Sequence, residues 1–171
     1  MVNALARLFR ISISRGHELI PIEKEVEHAR SYLKIQKFRY KDQFEYEFQV
    51  DESCLGYYCN KITLQPIIEN AIYHGLKYKE SKGLLQVKGF MKDGNAVLQV
   101  IDNGVGMDEE TLSHIYDKHK VNYHSNGVGV YNVQKRLKLY YGENYGITYE
   151  SEKGVGTTAT ITIPGIQEES I

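Results

Sequence analysis

The sequence is poor in cysteine and has no long apolar run. Its two cysteines, Cys54 and Cys59, are too few for the disulfide framework of a small secreted domain, so we expect both thiols to be reduced. No segment approaches the ~18 apolar residues that a membrane-spanning helix needs. Residues 1–14 lack the layout of a signal peptide, because arginines lie among the apolar positions. We therefore expect the chain, taken alone, to be soluble.

The sequence also lacks an excess of charge of either sign. Lys and Arg number 21 and Asp and Glu number 22, which leaves a net charge of -1. This balance gives no electrostatic reason to expect nucleic acid or a membrane surface as a partner. With 171 residues, 42% of them hydrophobic and 25% charged, the chain fits one globular domain with a sizeable core.

Four segments have the apolar spacing of helices. They are residues 2–14, 21–40, 62–77 and 130–140. The second begins at Pro21, and its early acidic residues, Glu23 and Glu25, suit the positive end of a helix dipole.

Five segments have the pattern of strands: 44–50, 84–91, 96–101, 145–151 and 157–163. Asp93-Gly94 separates two of them and predicts a hairpin turn. Residues 103–126 predict a long loop with one helical turn near 112–116, and residues 166–171 a frayed tail. Because adjacent strands favour antiparallel hairpins, the order of elements predicts a two-layer α+β sandwich with helices on one face.

The first motif is LQPIIENAIYHGLKY, at residues 64–78. On a regular helix it places Asn70, Tyr73, His74 and Lys77 on one face, at steps of three and four residues. An amide oxygen, an imidazole and an ammonium group on one polar stripe suit Mg²⁺ and phosphate. Taken alone, the same stripe is typical of a solvated helix face.

The second motif is VIDNGVGM, at residues 100–107. A predicted strand ends at Asp102, and Gly104 and Gly106 allow the backbone to turn sharply and approach a flat ligand. A carboxylate at a strand end can accept a hydrogen bond from an exocyclic amine such as that of adenine. An Asp-Asn-Gly turn is also common in α+β proteins.

The third motif is NGVGVYNVQKRL, at residues 126–137. Gly127 and Gly129 precede a helix N-terminus, whose free N–H groups and dipole favour a phosphate. A long loop precedes these glycines, so the motif is not the dinucleotide fingerprint, which follows a strand.

The order of these motifs, completed by GVGTTATITIP at residues 154–164, resembles the N, G1, G2 and G3 boxes of the Bergerat-fold ATPases and kinases. Within that group the sequence is most similar to the LytS-like sensor histidine kinases. The likeness lies in the pattern LQPxxENAxxHG and in the preceding GHELIPIEKEVEHARSYLKIQKFRY. It implies a two-layer sandwich with a mixed, mostly antiparallel sheet.

The resemblance implies roles in phosphate chemistry for the first motif. Asn70 would coordinate Mg²⁺, and His74 and Lys77 would lie near the phosphates of ATP. Glu69, beside Asn70, would act as a general base toward the acceptor imidazole; the alternative is a glutamate of the helix surface. The γ-phosphate would point outward for transfer, which depends mostly on positioning and charge neutralisation.

The resemblance also implies an adenine pocket and a lid. Asp102 would bind the adenine amine, with Thr157 or Thr158 beside it. Residues 107–126 would form the ATP lid. The other residues that would shape the pocket or wrap the phosphates are Gly104, Gly106, Gly127, Val128 and Gly129.

Three parts of the chain are expected on the same basis. Residues 1–20 would be the tail of a helical dimerisation and phosphoacceptor region, 21–165 the catalytic ATP-binding domain, and 166–171 a C-terminal tail. The family's acceptor histidine, in a motif of the Asn-Pro-His-Phe type, has no counterpart in this sequence. We therefore expect part of a longer, homodimeric membrane sensor, with this domain in the cytoplasm and a response regulator as partner.

Two departures from the family pattern concern the lid. Paired phenylalanines are absent, and Ile115 and Tyr116 are the nearest candidates. His114, His119 and His124 lie at equal spacing, but that spacing fits no usual zinc site, so polar lid residues are the interpretation we favour.

Three other functions share the fold. The helix bearing Ile22–Phe38, together with the leading segment Met1–Ser14, argues against a serine kinase of the anti-sigma-factor type. A gyrase-like ATPase would need an acid where this sequence has Pro66. A binding module without nucleotide affinity is disfavoured because Asn70, Asp102 and the box glycines are all present.

Overall fold

The computed structural model of the chain describes residues 18–116 and 127–167. Three segments for which we made predictions lie outside the described residues: 2–14, 117–126 and 168–171. Three residues are described by their backbone alone: Asp42, Gly127 and Val128. In this part of the chain, no helix is both long and apolar enough to cross a membrane.

The described residues form five α-helices. They are α1 (Ile22–Tyr40), α2 (Glu52–Leu55), α3 (Leu64–Asn70), α4 (Glu109–Ser113) and α5 (Gly127–Tyr141). Helix α3 continues into a π-helical turn at Ala71–Gly75 and a 3-10 turn at Leu76–Tyr78. Another 3-10 turn, Lys41–Gln43, follows α1.

Seven strands accompany these helices. They are β1 (Leu19–Pro21), β2 (Phe44–Val50), β3 (Tyr58–Asn60), β4 (Gly83–Lys92), β5 (Asn95–Asp102), β6 (Gly146–Glu152) and β7 (Gly156–Pro164). The main sheet has the order β2-β4-β5-β7-β6, in which β2 and β4 are parallel and all other neighbours antiparallel. Strands β1 and β3 form a separate antiparallel pair. The predicted mixed, mostly antiparallel sheet is confirmed.

One hydrophobic core lies between the sheet and a single layer of helices. Strand β4 alternates buried and half-buried residues, and Leu85 and Val87 point into the core. Helices α1, α3 and α5 contribute Leu33, Ile68 and Leu137, all fully buried in the same cluster. The two-layer α+β sandwich is therefore confirmed.

The hairpin predicted at Asp93-Gly94 is also confirmed. Both residues have positive φ, 50° and 76°, which is the backbone of a two-residue turn that matches the twist of its strands. The ladder between β4 and β5 begins directly beside this turn, with Lys92 opposite Asn95.

Three short elements were not predicted, and one expectation was wrong. Strands β1 and β3 and helix α2 have three or four residues each, too few to show a period. Ile166, expected to open a frayed tail, is paired with Tyr58, whose N–H donates to its carbonyl oxygen at 2.8 Å.

Glu25 of α1 is buried and fixes the entry to helix α3. Its carboxylate accepts hydrogen bonds from three successive backbone N–H groups, at 2.9, 2.7 and 2.8 Å: those of Ile62, Thr63 and Leu64. Arg136 of α5 donates to the carbonyl oxygen of Ile62 at 3.1 Å. Burial raises the pKa of Glu25, while the three N–H groups and Arg136 oppose that shift. Glu25 thus caps the N-terminus of α3. The sequence predicted only its favourable position at the positive end of the dipole of its own helix, α1.

The loop that Glu25 holds is strained. Ile62 has a φ of 56°, in the left-handed region that β-branched residues rarely adopt. Such a conformation costs on the order of 1–3 kcal/mol and persists only where neighbouring contacts impose it. The hydrogen bonds from Glu25 and Arg136 supply that constraint.

Glu25→Gln is expected to lower the free energy of unfolding by about 2–3 kcal/mol, because an amide NH₂ would face backbone donors. Urea denaturation measures the change. Glu27→Gln is the matched control, since Glu27 lies on the same helix and makes an exposed ion pair with Lys24; there we expect less than about 0.5 kcal/mol. Equal effects of the two substitutions would contradict the capping role.

Candidate functional site

An open cleft lies between the helix layer and the end of strand β5. Its walls come from α3 and the following π-helical turn, from β5, β6 and β7, and from the loop after β5. The lining residues are Ile67, Asn70, Ala71, His74, Gly75, Val100, Asp102, Gly106, Met107, Tyr149, Thr157 and Ala159.

Asp102 is the buried acid of the cleft. Its side chain is 5% exposed, and Oδ1 accepts the backbone N–H of Gly104 at 2.8 Å. Burial raises the pKa of Asp102 to about 6, although the Gly104 bond and the charge of Lys79 act in the opposite direction. A carboxyl group that is buried in a cleft and has a raised pKa is typical of a functional site.

Three glycines allow the backbone to approach Asp102 closely. A Cβ on Gly75 would lie 2.7 Å from Asp102 Oδ1, and one on Gly104 would lie 2.6 Å from the same atom. A Cβ on Gly156 would lie 2.1 Å from the backbone oxygen of Asp102. Gly75 and Gly156 are not among the site residues that the sequence predicts, although both lie within its motifs. The available signal is a glycine directly after His74 and another directly before Thr157.

Gly106 fixes the loop that leaves the site. Its φ is 63°, and a Cβ there would lie 1.9 Å from the backbone oxygen of Glu152. The N–H of Met107 donates to Ser151 Oγ at 2.8 Å. The first residues of the expected lid are therefore attached to the end of β6.

The register of β5 and β7 separates the two candidate threonines. Thr157 lies opposite Asp102 and Thr158 opposite Ile101. Because paired residues of an antiparallel ladder share a face and successive residues alternate, Thr157 faces the cleft and Thr158 faces away. Thr157 Oγ1 lies 2.8 Å from Ser151 Oγ. The structure thus brings Thr157 to Asp102 but not Thr158.

The π-helical turn changes which residues of the first motif reach the cleft. Asn70 and His74 line it, whereas Tyr73 lies beside α1, where Arg39 Nη1 donates to its hydroxyl at 3.3 Å. Lys77 lies in the 3-10 turn, with Nζ 5.6 Å from the ring centroid of Tyr78. The single polar stripe predicted for a regular helix is therefore split, because π and 3-10 turns depart from 3.6 residues per turn.

His74 stands at the rim of the cleft as a neutral imidazole. Burial lowers its pKa, and the charge of Lys77 lowers it further. At neutral pH the ring therefore offers one N–H donor and one acceptor nitrogen.

Glu69 faces helix α1 and does not line the cleft. Gln65 Nε2 donates to its Oε1 at 2.8 Å. The phenol of Tyr32 on α1 lies close by. Burial is the largest cause that raises the Tyr32 pKa, and the charge of Glu69 is the second largest. Glu69 and Asn70 thus point to different sides of one helix, as successive helical residues must.

The glycines of the third motif open helix α5. The helix begins at Gly127, and a Cβ on Gly129 would lie 3.2 Å from Pro66 Cβ on α3. The start of α5 is therefore next to α3, and Gly129 is not among the residues that line the described cleft. A helix N-terminus presents free backbone N–H groups that suit an anion.

The arrangement suits a flat heterocycle attached to a charged tail. Ile67, Val100 and Ala159 give the cleft apolar walls, and Asp102 offers a buried acceptor. Asn70 and His74 provide polar groups at the rim. No cluster of three or more His, Cys, Asp or Glu side chains suited to a metal exists among the described residues. A Mg²⁺ ion here would need oxygen ligands from the bound molecule, as it usually does with phosphates.

Two family models match the chain. The model for the histidine kinase-, DNA gyrase B-, and HSP90-like ATPases matches residues 59–167, and the histidine kinase model matches residues 1–44. Sensor histidine kinase YesM of Bacillus subtilis is 32% identical over 164 residues, which is 96% of this chain and 27% of that protein. Sensor protein LytS of Oceanobacillus iheyensis is 35% identical over 143 residues, 82% of this chain and 24% of that protein. The chain therefore spans about a quarter of the length of these relatives.

Solved structures show the same fold. The catalytic domain of histidine kinase ThkA superposes with a TM-score of 0.66 at 14% identity, covering 86% of this chain and 97% of that one. Full-length ShkA in complex with AMPPNP gives a TM-score of 0.66 at 19% identity, covering 97% and 35%. Since the ATPase family model covers more than half of the sequence, this chain belongs to the histidine kinase-, DNA gyrase B-, and HSP90-like ATPase family, as a catalytic domain of the LytS-like sensor histidine kinases.

Proposed function

We propose that this domain binds ATP with Mg²⁺ in the cleft and presents the γ-phosphate to a histidine side chain. The observation that carries the proposal is the buried Asp102 carboxylate, held by Gly104 and approached closely by Gly75. Oδ1 is engaged by the Gly104 N–H, so Oδ2 is the oxygen that remains for the adenine amine. Thr157 beside Asp102 and the apolar wall residues would enclose the ring.

The polar rim of the cleft would hold the phosphates and the metal. Asn70 offers an amide oxygen to Mg²⁺, whose remaining ligands would be phosphate oxygens and water. His74 donates one ring N–H toward the phosphates, and the N-terminus of α5, from Gly127 to Gly129, offers backbone N–H groups. Lys77 would approach from the 3-10 turn with a flexible side chain. Bound Mg²⁺ would neutralise charge on the phosphates during transfer.

Phosphoryl transfer would occur outside the cleft, on the side where Glu69 lies. Its carboxylate, oriented by Gln65, would accept the proton of an incoming imidazole as a general base. The acceptor would belong to an upstream dimerisation region, of which residues 1–20 form the tail. Residues 21–165 would be the catalytic domain and 166–171 a C-terminal tail.

The longer protein would be a homodimeric membrane sensor with this domain in the cytoplasm. Its phosphohistidine would pass the phosphoryl group to a response regulator. This assignment is supported by the similarity to YesM and LytS, which carry the matched region within proteins about four times longer.

Asp102→Asn is expected to weaken ADP binding at least about 100-fold, because an amide NH₂ would face the adenine amine and a charged acceptor is lost. The same change should stabilise the free domain. The folded pKa of Asp102 is raised from 3.8 to about 6, so its ionisation costs stability as the pH rises through that window. The gain should therefore grow between pH 4 and pH 7, to on the order of 1–3 kcal/mol.

Calorimetric titration and urea denaturation at several pH values measure both effects. Asp93→Asn, in the exposed hairpin turn, is the matched control and should change neither quantity. If Asp102→Asn bound ADP as tightly as the parent, the proposed contact between Asp102 and the adenine amine would be contradicted.

Asn70→Ala is expected to reduce the enhancement of ATP affinity by Mg²⁺ by at least about 10-fold, because the metal loses a protein ligand. Affinity in the presence of a chelator should hardly change. The comparison needs titrations with and without Mg²⁺, and Asn132→Ala on the exposed side of α5 serves as control. An Mg²⁺ enhancement equal to that of the parent would argue against the metal role.

Glu69→Gln in the full-length protein is expected to slow phosphorylation of the histidine about 100-fold and to leave ATP affinity unchanged, since Glu69 lies outside the cleft. Incorporation of labelled phosphate at saturating ATP measures the rate, with Glu23→Gln as control. A parallel loss of ATP affinity would instead assign Glu69 a structural role.

A further inference from the structure

The hydroxyl group of Tyr149, on strand β6, is not used by any contact described so far. Its Oη atom is buried and has no hydrogen-bond partner within the described part of the chain. A buried hydroxyl without a partner is costly and calls for an explanation. Tyr149 lines the cleft together with Asp102, so a molecule bound in the cleft is an available partner.

The sheet places Tyr149 one row away from Asp102 on the same face. Tyr149 lies opposite Ala159 of β7, which lies opposite Val100 of β5. Asp102 is two residues further along β5, in a row with Thr157. Tyr149 is thus one row along and two strands across from Asp102, roughly 7 Å and roughly 10 Å at the backbone. Both side chains line the cleft, and the charge of Asp102 is one of the causes that raise the Tyr149 pKa. A flat heterocycle bound at Asp102 would therefore lie on the face from which Tyr149 projects.

A neighbouring tyrosine limits the position of the Tyr149 ring. The Tyr116 ring contacts it edge to face, with ring centroids 6.0 Å apart and an angle of 63° between the ring planes. The hydroxyl of Tyr116 donates to the carbonyl oxygen of Ile147 at 2.5 Å. The Tyr116 hydroxyl is thus already engaged, and the Tyr149 hydroxyl is the one left available to a ligand.

The Tyr149 hydroxyl keeps its proton over the whole physiological pH range. Burial raises the Tyr149 pKa well above its usual value, and the charges of Tyr116 and Asp102 add to this shift. A protonated phenol donates one hydrogen bond. The cleft therefore offers both an ionisable acceptor, Asp102, and a permanent donor, Tyr149.

We propose that the Tyr149 hydroxyl donates a hydrogen bond to N1 of adenine while Asp102 accepts one from the adjacent amine. The inference rests on the proposed binding of ATP and makes Tyr149 a specificity-determining residue of that site. Adenine carries a donor and an acceptor on these neighbouring positions, and guanine carries the reverse pair. The Asp102–Tyr149 pair therefore selects adenine, since guanine would place donor against donor and acceptor against acceptor.

The test combines a protein change with a ligand change. Tyr149→Phe removes only the hydroxyl, and 1-deaza-ADP replaces adenine N1 with a C–H group. Tyr149→Phe is expected to weaken ADP binding about 3- to 10-fold. The same substitution should leave the affinity for 1-deaza-ADP unchanged, because that ligand has no N1 acceptor. Calorimetric titration of the parent and the variant with each ligand measures the four affinities.

Tyr141→Phe is the matched control. The Tyr141 hydroxyl is also buried, but Tyr141 does not line the cleft. Its substitution should leave both affinities unchanged. Removing the unsatisfied Tyr149 hydroxyl should not lower the stability of Tyr149→Phe, and thermal unfolding checks that both variants are folded.

Two outcomes would overturn the inference while leaving ATP binding intact. They are an ADP affinity of Tyr149→Phe equal to that of the parent, and an equal loss for ADP and 1-deaza-ADP. If the parent binds neither ligand, the proposed function fails, and the role of Tyr149 fails with it.

Discussion

The buried carboxylate of Asp102 is the constraint around which the site is built. Gly75 and Gly104 lie so close to the carboxylate that a Cβ on either would come within 2.7 Å of Oδ1, and a Cβ on Gly156 would lie 2.1 Å from the backbone oxygen of Asp102. A carboxylate in such surroundings is costly to ionise, as its pKa of about 6 shows. Within residues 18–116 and 127–167, no ion pair to Asp102 offsets this cost, and the charge of Lys79 opposes it only in part. A ligand whose amine donates a hydrogen bond to Oδ2 of Asp102 would account for the arrangement.

A second buried acid, Glu25, determines where the opposite wall of the cleft lies. It ties α1 to the first turn of α3 through three N–H groups, and Arg136 of α5 bonds the same loop. The three helices that cover the sheet are therefore linked at one point. Helix α3 carries both Asn70, which faces the cleft, and Glu69, which faces α1. In the proposed function, this one helix would serve nucleotide binding on one side and proton transfer on the other.

Much of the fold was predictable because its longer elements have clear periods, as in the alternation of Phe44–Val50 and the turn at Asp93-Gly94. The position of Asp102 at a strand end was predictable as well, since its motif contains the acid and two of the glycines, Gly104 and Gly106. Gly75 and Gly156, from other segments, were not predictable from that motif. The π-helical turn was not predictable either, because a pattern read at 3.6 residues per turn cannot show where a helix widens. Asn70 and His74 line the cleft, whereas Tyr73 and Lys77 do not, although the charge of Lys77 still acts on His74. In the sequence, Tyr149 is one more residue of a predicted strand, so its place in the site could not be predicted. Only the structure shows that its hydroxyl is buried and has no partner among the described residues.

The central claim is that Asp102 accepts the amine of adenine, and changing the ligand tests it without disturbing the protein. The measurement is the affinity of the unmodified chain for ADP and for its 6-deamino analogue, purine riboside diphosphate, by calorimetry at pH 8. Loss of a hydrogen bond to a charged acceptor predicts about 10- to 150-fold weaker binding of the analogue. Equal affinities for the two nucleotides would contradict the assignment of Asp102 as the adenine acceptor.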